Sequence, residues 1–306
     1  MTSRPLKRVF SPGTVLTAAA LARGLAEALG ALNRFKPDVV IGTGGYVSAS
    51  VLLAQALRRG RIIIHEQNAV PGRTNLWLSR FACKICVTFE DSTRYFPPGK
   101  TFVTGLPIRL ELLSLPVKED ARTALGLEPG RFTILVLGGS QGAKRLNNVI
   151  ADAIPLLSEL PVQVLHQAGE RNYEEAEARR ESAGWDGYRV YAYFDDMRPA
   201  YGSADLVVSR CGASTVAEIT AVGLPAIFMP YPYAYADHQR YNGEFVARKG
   251  GGIVISDAEI SPELLTGVVE RFLKSPADLA KMAEASRRLG KPHAARDIAA
   301  IAGRIA

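Results

Sequence analysis

Cysteine is scarce in this chain of 306 residues: there are three, Cys83, Cys86 and Cys211. So few exclude a disulfide framework and fit a reducing cytosol. The one CxxC, "CKIC" at 83–86, lies in an apolar run with no second Cys/His pair at zinc spacing. It reads as part of a buried strand rather than a metal or redox centre. Long hydrophobic runs are missing too: nothing approaches the roughly 20 apolar residues of a membrane-spanning helix. The opening "MTSRPLKRV" lacks the apolar core of a signal peptide. The expectation is a chain that stays inside the cell and crosses no membrane. Repeats and low-complexity segments are absent, as are zinc-finger and RNP signatures. Basic residues are in excess, with a formal charge of +7, but they are dispersed. Nucleic acid is therefore not expected as a partner, whereas phosphorylated ligands and an anionic membrane surface are.

What the sequence has in abundance is alternation. "DVVIG" (38–42), "RIIIHE" (61–66), "KICVTF" (84–89) and "TFVTG" (101–105) are short apolar strands, with helical patterns between the first three. After the proline-punctuated "LPIRLELLSLPVKED" the pattern restarts with "FTILVLGG", "VQVLHQAG", "RVYAYF", "DLVVSRCG", "AIFMPY" and "GIVIS". Such alternation implies parallel sheets covered on both faces. The expected class is α/β, with two Rossmann-like domains: residues 1–112, a linker at 113–120, and 121–306 ending in a helical tail. Leu21, Leu25, Ala28, Leu29, Leu32 and Phe35 share one helical face. With Arg4, Lys7, Arg8, Arg23, Arg34 and Lys36 nearby, that face either lies on anionic lipid or packs as an ordinary helix.

Several strand ends carry polar or glycine-rich turns. In "VLGGSQGAKRLNN" (136–148), Gly138, Gly139 and Gly142 permit positive φ and close approach of a ligand, and the next helix offers unpaired N–H groups. The segment is neither a Walker loop nor GxGxxG. It reads as a phosphate site, with Ser140 and Gln141 as added donors, or as a tight strand-to-helix turn. In "SRCGASTVAEITAVGLP" (209–225), Gly212, Ala213, Ser214 and Thr215 open another helix. Glu218 there either receives a ribose cis-diol or completes a cap begun by Ser214 or Thr215. "ADHQRYN" (236–242) sets Asp237, His238, Gln239 and Asn242 after a strand, as sugar ligands or as a solvated loop. "IGTGGYVSAS" (41–50) is a second glycine-rich turn, and "HEQNAVPGRTN" (65–75) places His65, Glu66, Gln67 and Asn68 at a strand end. His65 is either a general base or a neutral hydrogen-bonding residue that holds its loop. Arg109 follows Pro107 and Ile108 and has the reach to meet a phosphate.

Taken in order, "GTGGYVS", "HEQNAVPGRTN", "TGLPIR", "GGSQGAKRLN", "SRCGASTVAEITAVGLP" and "DHQRYN" resemble the bacterial MurG family of glycosyltransferases, from about residue 4 to the C-terminus. That family attaches N-acetylglucosamine to undecaprenyl-pyrophosphoryl-muramyl-pentapeptide. The resemblance implies a GT-B fold, with Rossmann-like domains facing a cleft. It places the donor UDP-GlcNAc on the C-terminal half and the lipid acceptor on the N-terminal half, at the cytoplasmic face of the membrane. Carried over by motif, Ser140 would bind donor phosphate, with Ser214 and Thr215 beside it, and Glu218 the ribose. Phe194 would hold the uracil, and His238 and Gln239 would read the sugar hydroxyls. Asn68 and Arg109 would be donor-side residues, and Gly44, Gly45 and Tyr46 would meet the acceptor pyrophosphate. The family pattern needs no cofactor and no metal. Its opening strand and glycine-rich loop, whose histidine is the favoured base, have no counterpart here. The N-terminal domain is therefore expected to be incomplete, with His65 the remaining candidate base. A nucleotide-sugar-binding protein without transfer activity, or a related GT-B transferase or epimerase, is the alternative.

Overall fold

The computed structural model describes residues 12–139 and 143–306, apart from the side chains of 12–21 and 46. The chain divides into two compact units. One runs to Leu106 and takes in His293–Ala306; the other is Pro107–Pro292.

The first unit contains α1 (Pro12–Phe35), β1 (Val39–Gly42), α2 (Gly45–Leu57), β2 (Arg61–Glu66), α3 (Arg73–Leu78), β3 (Lys84–Val87) and β4 (Thr101–Val103). The strands form one parallel sheet in the order β1-β2-β3-β4. β2 is buried from Ile62 onward, as the unbroken apolar run of a strand covered on both faces requires. On one face Ile62, Ile64, Ile85 and Val87 pack with Leu52 and Leu78. Much of the apolar stripe of α1 packs within the unit: Ala28 and Leu32 are buried with Ala54, and Leu25 and Leu29 close around Val51. Phe35, at the end of that stripe, is 82% exposed. Arg4, Lys7 and Arg8 lie outside the described residues. Of the cysteines here Cys83 is exposed and Cys86 buried, and burial pushes the Cys86 thiol up to about 11.

The second unit holds α4 (Lys118–Ala124), β5 (Phe132–Leu137), α5 (Lys144–Leu157), β6 (Val162–Gln167), α6 (Tyr173–Ala183), β7 (Tyr188–Tyr191), α7 (Met197–Ser203), β8 (Leu206–Ser209), α8 (Ala213–Val222), β9 (Ala226–Phe228), α9 (His238–Arg248), β10 (Gly252–Val254), α10 (Pro262–Lys274) and α11 (Pro276–Leu289). Its six strands are parallel in the order β10-β9-β8-β5-β6-β7. α5 buries Leu146, Val149, Ile150, Ala153, Ile154 and Leu157, an i, i+3, i+4 stripe against the sheet. α10 starts where Ser261 accepts the Leu264 N–H, with Pro262 at its first position, and sinks Leu265, Val269 and Phe272 into the same core.

Three boundaries differ from the sequence reading, the first being that residues 107–112, read as the end of the first domain, belong to the second unit. The stretch taken as a linker at 113–120 runs into α4, which is tied to the sheet through Lys118 and Arg122. The tail, read as part of the second domain, ends in α12 (Ala294–Gly303), and this helix belongs to the first unit. There Ile298 packs on Ile63 and Cys86, the sheet face that α2 leaves open. Among the described residues no helix is long and apolar enough to cross a membrane.

Candidate functional site

The strand order of the second unit reverses direction between β5 and β8: the chain builds outward from β5 through β6 and β7, then restarts at β8 on the other side. Ligands of open α/β sheets bind at such a switch point, outside the carboxyl ends of the strands. Leu137 and Ser209 pair in register there. β5 runs on into Gly138 and Gly139, β8 into Arg210, Cys211 and Gly212, and each leads to a helix with no side-chain cap. Neither N-cap residue, Ala143 or Gly212, supplies a side-chain acceptor to the first turn that follows, and the helix dipoles favour an anion at both mouths. Gly138 is required by crowding: a Cβ would meet Gln167 O at 3.1 Å, Ala143 N at 3.2 Å and Asn147 Oδ1 at 3.2 Å. Gly139 has φ +76°, which a side chain would strain. Ser140, with Gln141 and Gly142, lies outside the described residues.

The capping reading of the second turn does not hold. Gly212 is the N-cap of α8, so Ser214 and Thr215 fall inside its first turn and Glu218 in the second. Glu218 instead takes part in a side-chain cluster. The Tyr201 hydroxyl donates to its Oε2 at 2.8 Å, and Arg109 Nη2 stands 3.7 Å from its Oε1. Phe194 lies beyond β7, its ring buried 4.6 Å from that of Tyr191 and its N–H donated to Gln167 Oε1.

The "ADHQRYN" segment sits at the end of β9 and enters α9 through two non-glycine residues of positive φ, Ala236 (49°) and Asp237 (55°). Such strain, of order 1 kcal/mol per residue, gathers at binding sites. His238 Nδ1 lies 2.8 Å from Tyr235 O, which can only accept. In the neutral ring the proton is therefore on Nδ1, and Nε2 is left as an acceptor. Gln239 is more committed than its expected role implies: its Oε1 accepts the N–H groups of Cys211 (3.2 Å) and Tyr231 (3.0 Å). Only its amide donors remain for a sugar. Arg210 clamps the same corner, donating to Met229 O, Pro230 O and Asp257 Oδ1.

Beneath the Gly138 turn runs a buried polar chain that the sequence reading missed. Asn147, one turn into α5, donates Nδ2 to Ala168 O at 2.9 Å, so its Oδ1 faces His166 Nε2 at 3.1 Å and receives that proton. His166 Nδ1 then accepts from the Tyr188 hydroxyl at 2.8 Å. Burial holds His166 neutral, its pKa pushed down to about 3 from an ordinary 6.5. Between those values the unfolded chain binds a proton that the folded one refuses, so stability falls as pH drops, by about 1.4 kcal/mol per unit. His166→Gln should remove one proton from the uptake on unfolding. Urea midpoints at about pH 7 and about pH 5 would then differ less than in the wild type; an equal difference would contradict this.

In the first unit β1 leads through Gly44 (φ +91°) into α2, which also lacks a side-chain cap. A Cβ on Gly44 would meet Asn75 Nδ2 at 3.2 Å; Gly45 is open, with φ +77°. The Tyr46 side chain lies outside what is described. His65 is buried, with Nε2 donated to Gly105 O at 2.9 Å and Nδ1 facing Gln67 Nε2 at 3.4 Å. Desolvation lowers its pKa. The Gly105 contact keeps the proton on Nε2 and holds the loop, while Nδ1 is the ring's acceptor; its neighbour Gln67 Nε2 has nearer acceptors in Thr43 O at 2.8 Å and His65 O at 3.1 Å. Glu66 was passed over as a neighbour of His65 and proves to organise the turn, accepting from Asn68 N (3.0 Å), Gly72 N (3.1 Å) and Asn75 Nδ2 (2.8 Å). Asn68 is thereby fixed through its backbone.

Two α/β units with parallel sheets, one with uncapped helix mouths at the switch point of its strand order, have the architecture of the GT-B glycosyltransferases. Residues 133–300 match the glycosyltransferase family 28 C-terminal domain and residues 1–87 the family 28 N-terminal domain. The chain is 41% identical over 308 residues to the UDP-N-acetylglucosamine–N-acetylmuramyl-(pentapeptide) pyrophosphoryl-undecaprenol N-acetylglucosamine transferase of Desulforudis audaxviator, across 98% of this chain and 82% of that one. The enzyme of the same name from Geobacter sulfurreducens is 41% identical over 94% of this chain and 79% of its own. The crystal structure of Acinetobacter baumannii MurG superposes with a TM-score of 0.77 at 31% identity, over 97% of this chain and 82% of that one. The chain belongs to the MurG family within glycosyltransferase family 28. A UDP-GlcNAc 2-epimerase from Neisseria meningitidis, 14% identical with a TM-score of 0.66 over 92% of this chain and 80% of that one, shares the fold alone.

Proposed function

We propose that this chain is an inverting hexosyltransferase that moves N-acetylglucosamine from UDP-N-acetylglucosamine to undecaprenyl-pyrophosphoryl-muramyl-pentapeptide in peptidoglycan synthesis. The observation that carries the reading is the 41% identity to the Desulforudis enzyme over 98% of this chain. The second unit offers groups suited to each part of the donor. The mouths of α5 and α8 suit the diphosphate, with Ser214 and Thr215 in the first turn of α8; by the family motif Ser140 is a further phosphate residue in this reading. Glu218 suits the ribose, Phe194 the uracil, and His238 Nε2 with the Gln239 amide the sugar hydroxyls. Asn68 and Arg109 are further donor-side residues in this reading, and Gly44, Gly45 and Tyr46 meet the acceptor pyrophosphate. As the anomeric bond breaks, negative charge grows on the β-phosphate. Backbone donors already aimed there stabilise it without reorganising, at about 3 kcal/mol for each donor. The acceptor hydroxyl must lose its proton to a base; His65, whose Nε2 proton is held by Gly105 O, has Nδ1 alone to offer for that part.

The test is a transfer assay of this chain with UDP-GlcNAc and a lipid-linked muramyl acceptor. A lipid-linked disaccharide is expected, with UDP released only when both substrates are present. Donor binding by calorimetry without product would replace transfer with a binding-only function, and free sugar formed without acceptor would point to epimerase-like chemistry.

A lipid-linked acceptor puts the chain at the cytoplasmic face of the membrane as a peripheral protein. In the first unit Leu76, Trp77 and Phe81 are exposed beside Arg73 and Arg80. Trp77 and Phe81 meet edge to face at 5.9 Å, and the Arg80 guanidinium lies 5.5 Å from the Trp77 ring centre. Aromatic rings with flanking arginines suit an anionic lipid surface. Replacing both rings, Trp77→Ala with Phe81→Ala, should lower co-sedimentation with phosphatidylglycerol vesicles several-fold; unchanged sedimentation would refute this placement.

A further inference from the structure

Tyr201 carries no role in any reading of the sequence motifs, yet it is the buried polar neighbour of the residue on which ribose recognition rests. It belongs to α7, is 1% exposed, and sends its hydroxyl to Glu218 Oε2 at 2.8 Å. Glu218 itself has a side chain 17% exposed, and among the described residues its other oxygen meets Arg109 in a long ionic contact of 3.7 Å, beyond hydrogen-bond reach. A carboxylate offers about four lone-pair sites. Tyr201 takes one of them, which leaves the others able to accept from a ligand. A carboxylate free to turn about its last torsion presents its two oxygens to a cis-diol in only part of its orientations. A single donor held rigidly behind one oxygen fixes the plane.

From this arrangement we infer that Tyr201 is a positioning residue for nucleotide recognition: its hydroxyl locks the Glu218 carboxylate in the orientation that receives the two ribose hydroxyls of the donor. The inference rests on the reading of Glu218 as the ribose ligand. Burial, and the Glu218 charge beside it, raise the Tyr201 pKa well above the ordinary phenol value, so the hydroxyl is a donor across the working pH range. Phenylalanine retains the buried ring and removes only the donor, which separates the orienting role from packing.

The experiment is calorimetry of UDP and 2′-deoxy-UDP with the full chain and its Tyr201→Phe, Glu218→Gln, Glu218→Asp and Tyr201→Phe/Glu218→Gln variants, with thermal melts to establish that each is folded. Tyr201→Phe is expected to weaken UDP about tenfold, the scale of one charge-assisted hydrogen bond, and to weaken 2′-deoxy-UDP far less, so that discrimination between the two collapses. Adding Tyr201→Phe to Glu218→Gln should change nothing further, as for residues acting through one another. Glu218→Asp keeps the charge but draws the carboxyl back from the Tyr201 hydroxyl, and should lose the same discrimination even if Tyr201→Phe does not fold. Equal weakening of both nucleotides by Tyr201→Phe, or additive effects in the double variant, would overturn the positioning role and leave Glu218 as ribose ligand. Unchanged discrimination in Glu218→Gln would overturn the ribose reading itself.

Discussion

Replacing Asp205 by alanine should cost the second unit about 3–5 kcal/mol of unfolding free energy, the range seen when one partner of a buried ion pair is removed. Asp205 immediately precedes β8. Its Oδ2 accepts from Arg122 Nη2 at 2.5 Å and from Thr133 N at 2.7 Å, and its Oδ1 from Lys118 Nζ at 2.7 Å. The Arg122 side chain is only 6% exposed and is spread over three acceptors, with Ser203 O and Pro129 O taking its other donors. Without Asp205 a buried guanidinium loses its counter-charge and a backbone N–H of β5 loses its acceptor. Lys118 is the control: 43% exposed, it contributes through a solvent-screened pair, and Lys118→Ala should cost less than about 1 kcal/mol. Urea unfolding of the three proteins checks the ranking; similar losses for Asp205→Ala and Lys118→Ala would contradict it. The cluster sits at the amino ends of β5 and β8, opposite the strand ends that carry Gly138 and Gly212. Nucleotide affinity of the folded Asp205→Ala protein should therefore be unchanged.

The same cluster shows why some of the architecture was legible in the chain and some was not. The strands of the described residues stand where apolar runs announced them, most plainly β2, β5, β6 and β8, because burial on both faces writes itself directly into composition. α4 was hidden in a proline-punctuated stretch: it spans seven residues, too few for a periodic pattern, and owes its place to Asp205, more than 80 residues along the chain. α12 was legible as a helix but not as a part of the first unit, since its Ile298 finds Ile63 and Cys86 only after the fold has closed. At the site, glycine turns and polar strand ends were readable, because close approach to a ligand restricts residue type locally. The partners of those groups were not. Tyr201 reaches Glu218 from 17 residues away on a short helix with no motif, and Gln239 gives its carbonyl to two N–H groups that no spacing rule connects to it. A cap at Ser214 or Thr215, one of the two readings of that turn, falls two or three residues inside α8, whose cap is Gly212 although serine is the stronger capping residue.

Glu66 provides the second large effect, this time in the first unit. It is 2% exposed at the end of β2, and its three donors come from within nine residues downstream: Asn68 N, Gly72 N and Asn75 Nδ2. One carboxylate therefore closes the turn between β2 and α3, and Asn75 in turn stands beside Gly44 at the mouth of α2. Glu66→Ala leaves two backbone N–H groups and a side-chain amide without their acceptor, each worth about 1–3 kcal/mol if it stays buried. Since the turn can open to water and recover part of that, a net loss of about 3 kcal/mol is expected. Glu66→Gln discriminates between shape and charge. It keeps one acceptor oxygen, but turns an NH₂ toward donors on the other side, so it should lose about half as much. Hydrogen exchange gives the direct readout: the Asn68 and Gly72 amides should lose protection in Glu66→Ala, while the Ile63 and Ile64 amides inside β2 keep theirs. If Asn68 and Gly72 remain protected without the carboxylate, then the turn is held by something other than Glu66. If β2 loses protection along with them, the carboxylate supports the whole sheet and not the turn alone.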